Sequence, residues 1–285
     1  MTQYNHLSQI YRSVIQQVMS DPAQLPSLPA FTFEIRRAVQ NAEITNEALA
    51  AICAKDPGFV ALLISAAASP LYARTNPPTT IGAIIAVLGR EKIDRLAMIY
   101  SIKSLFIFRT PKLKQVYNKV WERTLLTSAI GVLLAKKYTH FNVEETIMVS
   151  LLVELGTLAI LSALKDMSDF PTPDEFKLLC REYGKSFTAI MLKKWRFDDQ
   201  LIEVLKSSGR WYDNHSDVLT LTDILNLAWY CALKVVGCNG ELPPIRDLAA
   251  FAKLPVEAQR LDHNGLLSVL SENRQEISSI QKLLA

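Results

Sequence analysis

A chain of 285 residues is long enough to bury a large hydrophobic core, and its formal net charge of +3 at pH 7 gives no electrostatic reason to expect a nucleic-acid partner. Hydrophobic residues make up 49% of the sequence and charged residues 21%, while only 10 residues are glycine. This composition is typical of a compact helical protein and excludes a sheet rich in glycine.

The first part of the chain is predicted to form short helices. Apolar residues at three- and four-residue spacing lie on one face of a first helix, which should end near residues 21–22. The prolines of segment 25–29 favour an extended strap, because they remove backbone donors. Asp56 before Pro57 is a favoured helix start. The short helices are expected at about residues 31–41, 45–54, 57–68, 80–88 and 90–105.

Longer helices follow in the middle of the chain. The same spacing predicts them at residues 112–137, 143–164, 217–236 and from about 264 to the C-terminus. Thr172, Pro173 and Glu175 form a capping pattern that starts another helix. Ser216 or Asp217 is expected to cap the helix at 217–236. No alternating stretch is long enough for a strand, so the sequence predicts an all-α, multi-helix fold.

Two breaks indicate how the chain is divided. The first is Thr110-Pro111, between the short and long helices, and the second runs from Gly237 to Pro244. We predict an N-terminal helix (1–21), a central domain (22–236) and a C-terminal helical extension (237–285). The central domain would consist of an N-terminal helical lobe (22–110) and a second lobe (111–236).

The lack of a signal-peptide pattern and the spacing of the cysteines favour a cytoplasmic location. The N-terminal segment has no basic region followed by an apolar core, as a signal peptide would. The longest uncharged stretch, between Asp56 and Arg74, is too short and too interrupted by proline to span a bilayer. No CxxC pair or disulfide framework is evident among the four cysteines, Cys53, Cys180, Cys231 and Cys238.

Common catalytic motifs are absent from the sequence. There is no GxSxG, GxxxxGK[ST], GxGxxG or HExxH pattern. The polar run Asp213–Asp217 is interpreted as a turn followed by a helix cap, with a metal site as the less favoured alternative. The histidines have no paired spacing and are expected at exposed positions: His6, His140, His215 and His263.

Several segments form a specific pattern when they are taken in order. They are Leu25–Pro29 (LPSLP), Ile52–Pro57, Ala67–Tyr72, Thr80–Gly89, Trp121, Leu151–Leu158, Glu182–Gly184 and Trp195. This series resembles the HDOD family, a branch of the HD phosphohydrolase superfamily, over about residues 22–236. The resemblance implies an HD-like helical bundle with an N-terminal helical lobe.

The resemblance also locates the positions at which HD phosphohydrolases hold divalent metals. The first histidine position corresponds to Arg123, and the His-Asp pair to Val153 and Glu154. The later positions fall at about Phe187, Ser208, Gly209 and Trp229. Glu154 is the one carboxylate left in the set, and a cation such as Arg123 would repel a metal. We therefore expect no bound metal, no cofactor and no catalytic residue.

The functional expectation follows from the replacement of the metal-binding residues. The resemblance implies a non-catalytic signalling or scaffold protein of bacterial signal transduction that acts by binding a protein or a small ligand. Such domains often accompany receiver or cyclic-di-GMP domains. Since none is evident in the sequence, we expect a separate signalling protein as the partner. The alternative is a metal-dependent phosphohydrolase acting on a nucleotide or phosphate ester.

Two structural expectations concern the former metal position. A groove could persist there, lined by Trp121, Arg123 and Glu154, with Phe187 and Trp229 beside them. Alternatively, Phe187 and Trp229 fill the space as core. Glu154 lies on the apolar stripe of its helix, and the resemblance implies that this helix contacts the helix of Arg123, so an ion pair between the two is expected. The alternative is that Arg123 points to solvent while Glu154 bonds to threonine or backbone groups.

Overall fold

The computed structural model describes residues 2–69, 71, 78, 80–237 and 242–284. Within these ranges there is no β-strand, and an isolated bridge joins Leu261 to Leu267. The α-helices are α1 Thr2–Ser20, α2 Ala30–Gln40, α3 Asn46–Cys53, α4 Pro57–Ala68, α5 Ile81–Leu88, α6 Arg90–Ser104, α7 Pro111–Tyr138, α8 Val143–Leu152, α9 Leu155–Ala163, α10 Pro173–Lys194, α11 Asp199–Ser207, α12 Leu221–Val235, α13 Ala249–Ala252, α14 Ser268–Glu272 and α15 Arg274–Leu284. The all-α prediction is confirmed.

Capping residues explain where several helices begin. Asp56 accepts a hydrogen bond from the Phe59 backbone N–H at the start of α4, as its sequence pattern predicts. Thr172 forms the expected capping box with Glu175 at the start of α10. The predicted cap of the helix at 217–236 is wrong. Thr220 caps α12 instead, because Asp223 three residues later completes a capping box that Ser216 and Asp217 cannot form.

The predicted helix at 143–164 is interrupted in the structure. The chain turns at Val153 and Glu154, and Glu154 adopts φ −99° and ψ 7° as the residue before α9. The apolar spacing continues across the turn, so periodicity alone did not reveal it. The predicted C-terminal helix is likewise divided, into α14 and α15. The turn at Glu154 matters for the site, because it sets the direction of that side chain.

Two compact units are distinguished by their internal contacts. One contains Met1–Ser27 and Phe106–Glu272, and the other contains Leu28–Leu105 and Asn273–Ala285. The boundary near residue 105 lies close to the break expected at Thr110-Pro111. The C-terminal segment expected as an extension contributes to both units. The predicted domain limits stay a prediction.

The larger unit is built around α7, which packs on α8 and α12, while α9 packs on α10. Helices α9 and α10 approach so closely at Gly156 that a Cβ there would overlap the backbone of Gly184. The Gly156 backbone N–H also donates to Thr188 Oγ1 at 3.0 Å. In the smaller unit α2 packs on α6, α3 on α5, and α15 on α4. A dense apolar core in the larger unit therefore surrounds the turn that carries Glu154.

One segment of the described chain, Val143–Ala163, has the length and composition of a membrane span, with a mean hydropathy of 1.9. Of the 18-residue window that meets this description within the segment, 83% is buried inside the fold, as in the core helices of globular proteins. Cys53, Cys180 and Cys231 are free thiols, whereas Cys238 lies outside the described residues. A cytoplasmic location stays a prediction.

Candidate functional site

The candidate site is centred on Glu154, whose side chain is 4% exposed. The residue lies at the turn between α8 and α9, so the two helices set the position of its backbone. Burial of a carboxylate is costly unless hydrogen bonds and an opposite charge compensate for lost water. The surroundings of Glu154 supply both.

Three side chains donate hydrogen bonds to the Glu154 carboxylate. Arg123 Nε and Trp229 Nε1 lie 2.6 and 2.9 Å from Oε1, and Thr157 Oγ1 lies 2.9 Å from Oε2. The predicted ion pair with Arg123 is confirmed, and the Arg123 side chain is 14% exposed. The bond to threonine, considered as an alternative, is present as well. We call Arg123, Glu154, Thr157 and Trp229 the carboxylate cluster.

The charge of Glu154 is stabilised by its neighbours. Burial alone raises the pKa of this carboxyl, but the charge of Arg123 and the donors of Arg123, Trp229 and Thr157 outweigh it and lower the pKa. The pKa of Cys180, on α10, is shifted in the opposite direction. Burial and the nearby Glu154 charge raise the pKa of its thiol to about 12. Glu154 is thus ionised at neutral pH, and the Cys180 thiol is protonated.

The position of Trp229 on α12 depends on the turn after α11. Gly209 has φ +75°, and a Cβ at this position would lie 2.9 Å from Trp229 Cζ3. The Gly209 backbone N–H donates to Asn226 Oδ1 at 2.8 Å, which ties the turn to α12. The Trp211 ring also packs near Trp229, with 5.7 Å between the ring centroids. The indole is therefore held in one orientation, with its N–H toward Glu154.

The remaining predicted positions are mostly buried. Phe187 is fully buried on α10, and Val153 is half-buried at the turn. Ser208 is buried, and its hydroxyl donates to the Leu205 carbonyl oxygen. Trp121 is 9% exposed and stacks on Tyr117 at 6.2 Å between ring centroids. Hydrogen bonds join Arg123, Glu154 and Trp229, while a groove at this place stays a prediction.

Sequence reasoning missed Thr157, Asn226 and Cys180. Thr157 follows Glu154 by three residues on α9, which is the spacing of neighbouring side chains on a helix, so this signal was available. Cys180 approaches Glu154 from a distant part of the chain, and Asn226, on the same helix as Trp229, bonds the distant Gly209 backbone N–H; no local pattern indicates either contact. A buried ion pair between Lys253 and Asp223, at 3.0 Å, was missed for the same reason.

The residues present do not fit a metal centre. A transition metal takes about four to six nitrogen, oxygen or sulfur donors. Among the described residues, no group of three or more His, Cys, Asp or Glu side chains is arranged to hold one. Both oxygens of Glu154 already accept hydrogen bonds, and the guanidinium of Arg123 lies where a cation would need to approach. The cluster is a buried ion pair whose carboxylate also accepts hydrogen bonds from two neutral donors.

Comparisons with known proteins agree on the fold. The sequence model of the family described as "HDOD domain" matches residues 25–209. No curated protein matches the chain. A Shewanella amazonensis SB2B structure named "putative metal-dependent phosphohydrolase" superposes with a TM-score of 0.77 at 20% identity, covering 100% of both chains. A Geobacter sulfurreducens "HDOD domain protein with unknown function" gives 0.64 at 16% identity, covering 97% of each chain. A Marinobacter aquaeolei VT8 "putative signal transduction protein" gives 0.59 at 15% identity, covering 97% of this chain and 66% of the other.

Proposed function

Since the chain belongs to the HDOD family, we propose that it is a non-catalytic signalling module that acts by binding a protein partner or a small ligand. The observation that supports this proposal is the carboxylate cluster. Glu154 is the acidic residue expected at the former metal position, and its oxygens are taken by Arg123, Trp229 and Thr157. A carboxylate engaged in this way is not available to a metal or as a general base.

The proposed partner is a separate bacterial signalling protein in the cytoplasm. A likeness to a structure named for signal transduction supports the general role, although that likeness concerns the fold. The name of the Shewanella structure suggests the alternative, a metal-dependent phosphohydrolase. The two proposals differ in the chemistry that they require at Glu154.

Metal content and hydrolysis distinguish the two functions. The full chain is purified without added metal, its manganese, iron, zinc and nickel are measured, and turnover of a chromogenic phosphodiester is recorded with and without each metal. We expect substoichiometric metal and the same background rate for wild type and Glu154→Gln. Bound metal together with turnover that Glu154→Gln abolishes would overturn the proposal and establish the hydrolase.

A further inference from the structure

Segment 243–253 lies beyond the part of the chain that the family model matches, which ends at residue 209. It contains one turn of 3-10 helix and the four-residue helix α13, and neither is long enough to be stable alone. Ile245 and Leu248 are buried, and Lys253 forms the buried ion pair with Asp223 in the first turn of α12. The segment is therefore held in place by its contacts with the rest of the larger unit.

Two hydrogen bonds join the segment to aromatic residues of α12 and of the loop before it. Tyr230 Oη donates to the Pro243 carbonyl oxygen at 2.7 Å. The Ala249 backbone N–H donates to the Trp211 carbonyl oxygen at 2.9 Å. Trp211 lies between α11 and α12, where the backbone is not helical, so the bond from Ala249 holds a residue that no helix holds.

The aromatic rings continue this connection to the carboxylate cluster. The Trp211 ring lies edge-on to the Tyr230 ring, with 5.9 Å between centroids and 83° between planes. The same Trp211 ring lies 5.7 Å from the Trp229 ring. Trp229 in turn donates its indole N–H to Glu154. An unbroken series of contacts therefore leads from segment 243–253 to the buried carboxylate.

From this series we propose that segment 243–253 is a regulatory latch. While the segment is attached, it keeps Trp211 against Trp229 and thereby keeps the indole N–H on Glu154. Displacement of the segment frees the Trp211 backbone, and the indole then leaves the carboxylate. Trp211 is a positioning residue in this device, because it acts on Glu154 only through Trp229.

The latch rests on the proposed function in one respect, since it takes the carboxylate cluster as the part of the module that changes during signalling. Release of the indole leaves Glu154 Oε1 with Arg123 as its donor and makes an acceptor available to a partner. The test below uses neither metal content nor turnover nor a partner. Its failure would therefore leave the proposed function standing, and failure of the proposed function would leave the coupling measured here intact.

The first test is Ala249→Pro, which removes the N–H that Trp211 accepts. Ala249 is the first residue of α13, and Leu248 before it has φ −71° and ψ 129°. Proline fits the first position of a helix and favours an extended residue before it, so the backbone tolerates the change. Asn46→Pro is the matched control in the smaller unit, at the first residue of α3 and after the extended Thr45.

The readout is the hydrogen exchange of the indole N–H groups, followed by NMR on the isotope-labelled full chain. The Trp229 signal is assigned from its loss in Trp229→Phe. We expect Ala249→Pro to accelerate exchange at Trp229 about tenfold, as loss of one net hydrogen bond implies. Exchange at Trp195, whose indole donates to the Pro26 carbonyl oxygen at 3.2 Å, should stay unchanged. Asn46→Pro should change neither signal.

Unchanged exchange at Trp229 in Ala249→Pro would overturn the proposal, whether or not the segment itself exchanges faster. Equal acceleration at Trp229 and Trp195 would overturn it as well, because the whole fold would then be loosened.

Tyr230→Phe keeps the proposal testable if Ala249→Pro does not fold. This change removes the bond to Pro243 and retains a ring beside Trp211. It should accelerate indole exchange at Trp229 and at no other tryptophan. An unchanged Trp229 signal in this variant would refute the latch.

Discussion

Trp229 Nε1 donates a hydrogen bond of 2.9 Å to Glu154 Oε1, the same oxygen that pairs with Arg123. One carboxylate oxygen thus joins α12 to the turn between α8 and α9, while the guanidinium brings in α7. Each donor alone would leave part of a buried charge unsolvated. The stability of this arrangement should therefore depend on all of its members.

A double-mutant cycle with Arg123→Met and Glu154→Gln should be strongly non-additive. Removal of one partner leaves the other charge buried, at a cost of about 3–5 kcal/mol, whereas the double variant loses both charges and should cost less than the sum. The free energy of unfolding is measured in urea for all four proteins. Additive losses would show that the two side chains do not interact energetically.

Acid should remove the contribution of Glu154 to stability. The folded-state pKa lies below the ordinary value of 4.5, so the stabilisation is present above that value and is lost as the pH falls through the folded pKa. The difference in unfolding free energy between wild type and Glu154→Gln should stay constant near neutral pH and shrink below pH 4.5. A difference that grows as the pH falls would contradict the assigned charge state.

The sequence was informative about local structure and about which residues lie on buried faces. Asp56 and Thr172 cap helices as their patterns predict, and the apolar stripe placed Glu154 inward. The turn at Glu154 was missed because hydrophobic spacing continues through it. Contacts between distant segments depend on how helices cross, and hydrophobic periodicity does not specify that. Examples are the bond from Trp229 to Glu154 and the bond from Lys185 to the Lys206 carbonyl oxygen.

The two glycines at the α9–α10 crossing should respond to the same substitution in opposite ways. A Cβ at Gly156 would overlap the backbone oxygen of Gly184, so Gly156→Ala should cost at least about 3 kcal/mol. At Gly184 a Cβ meets no atom within 4 Å, and Gly184→Ala should stabilise α10 by about 0.5–1 kcal/mol. Thermal unfolding of both variants provides the comparison. Equal shifts in Tm would show that the helices do not approach as described.

The buried pair of Lys253 and Asp223 should contribute to the attachment of α13. Their side chains are 7% and 6% exposed, and Asp223 also closes the capping box of α12. Lys253→Met leaves that carboxylate without its cation, so we expect a loss of about 3–5 kcal/mol. Lys206→Met, which removes an exposed pair with Glu203, is the matched control and should change stability by less than about 1 kcal/mol. Similar losses in the two variants would refute the distinction.

Gly209 and Gly265 provide a test of how tightly the turn after α11 is fitted to Trp229. Both have positive φ, +75° and +72°, so alanine at either position incurs backbone strain of about 1–2 kcal/mol. Only at Gly209 does the added Cβ meet a side chain, Trp229 Cζ3 at 2.9 Å, whereas Gly265 has open space. Gly209→Ala should therefore cost about 1–3 kcal/mol more than Gly265→Ala. In a Trp229→Phe background the smaller ring has no atom at the position of Cζ3. The additional cost of Gly209→Ala over Gly265→Ala should therefore disappear. If it persists there, the cost comes from another source than the indole.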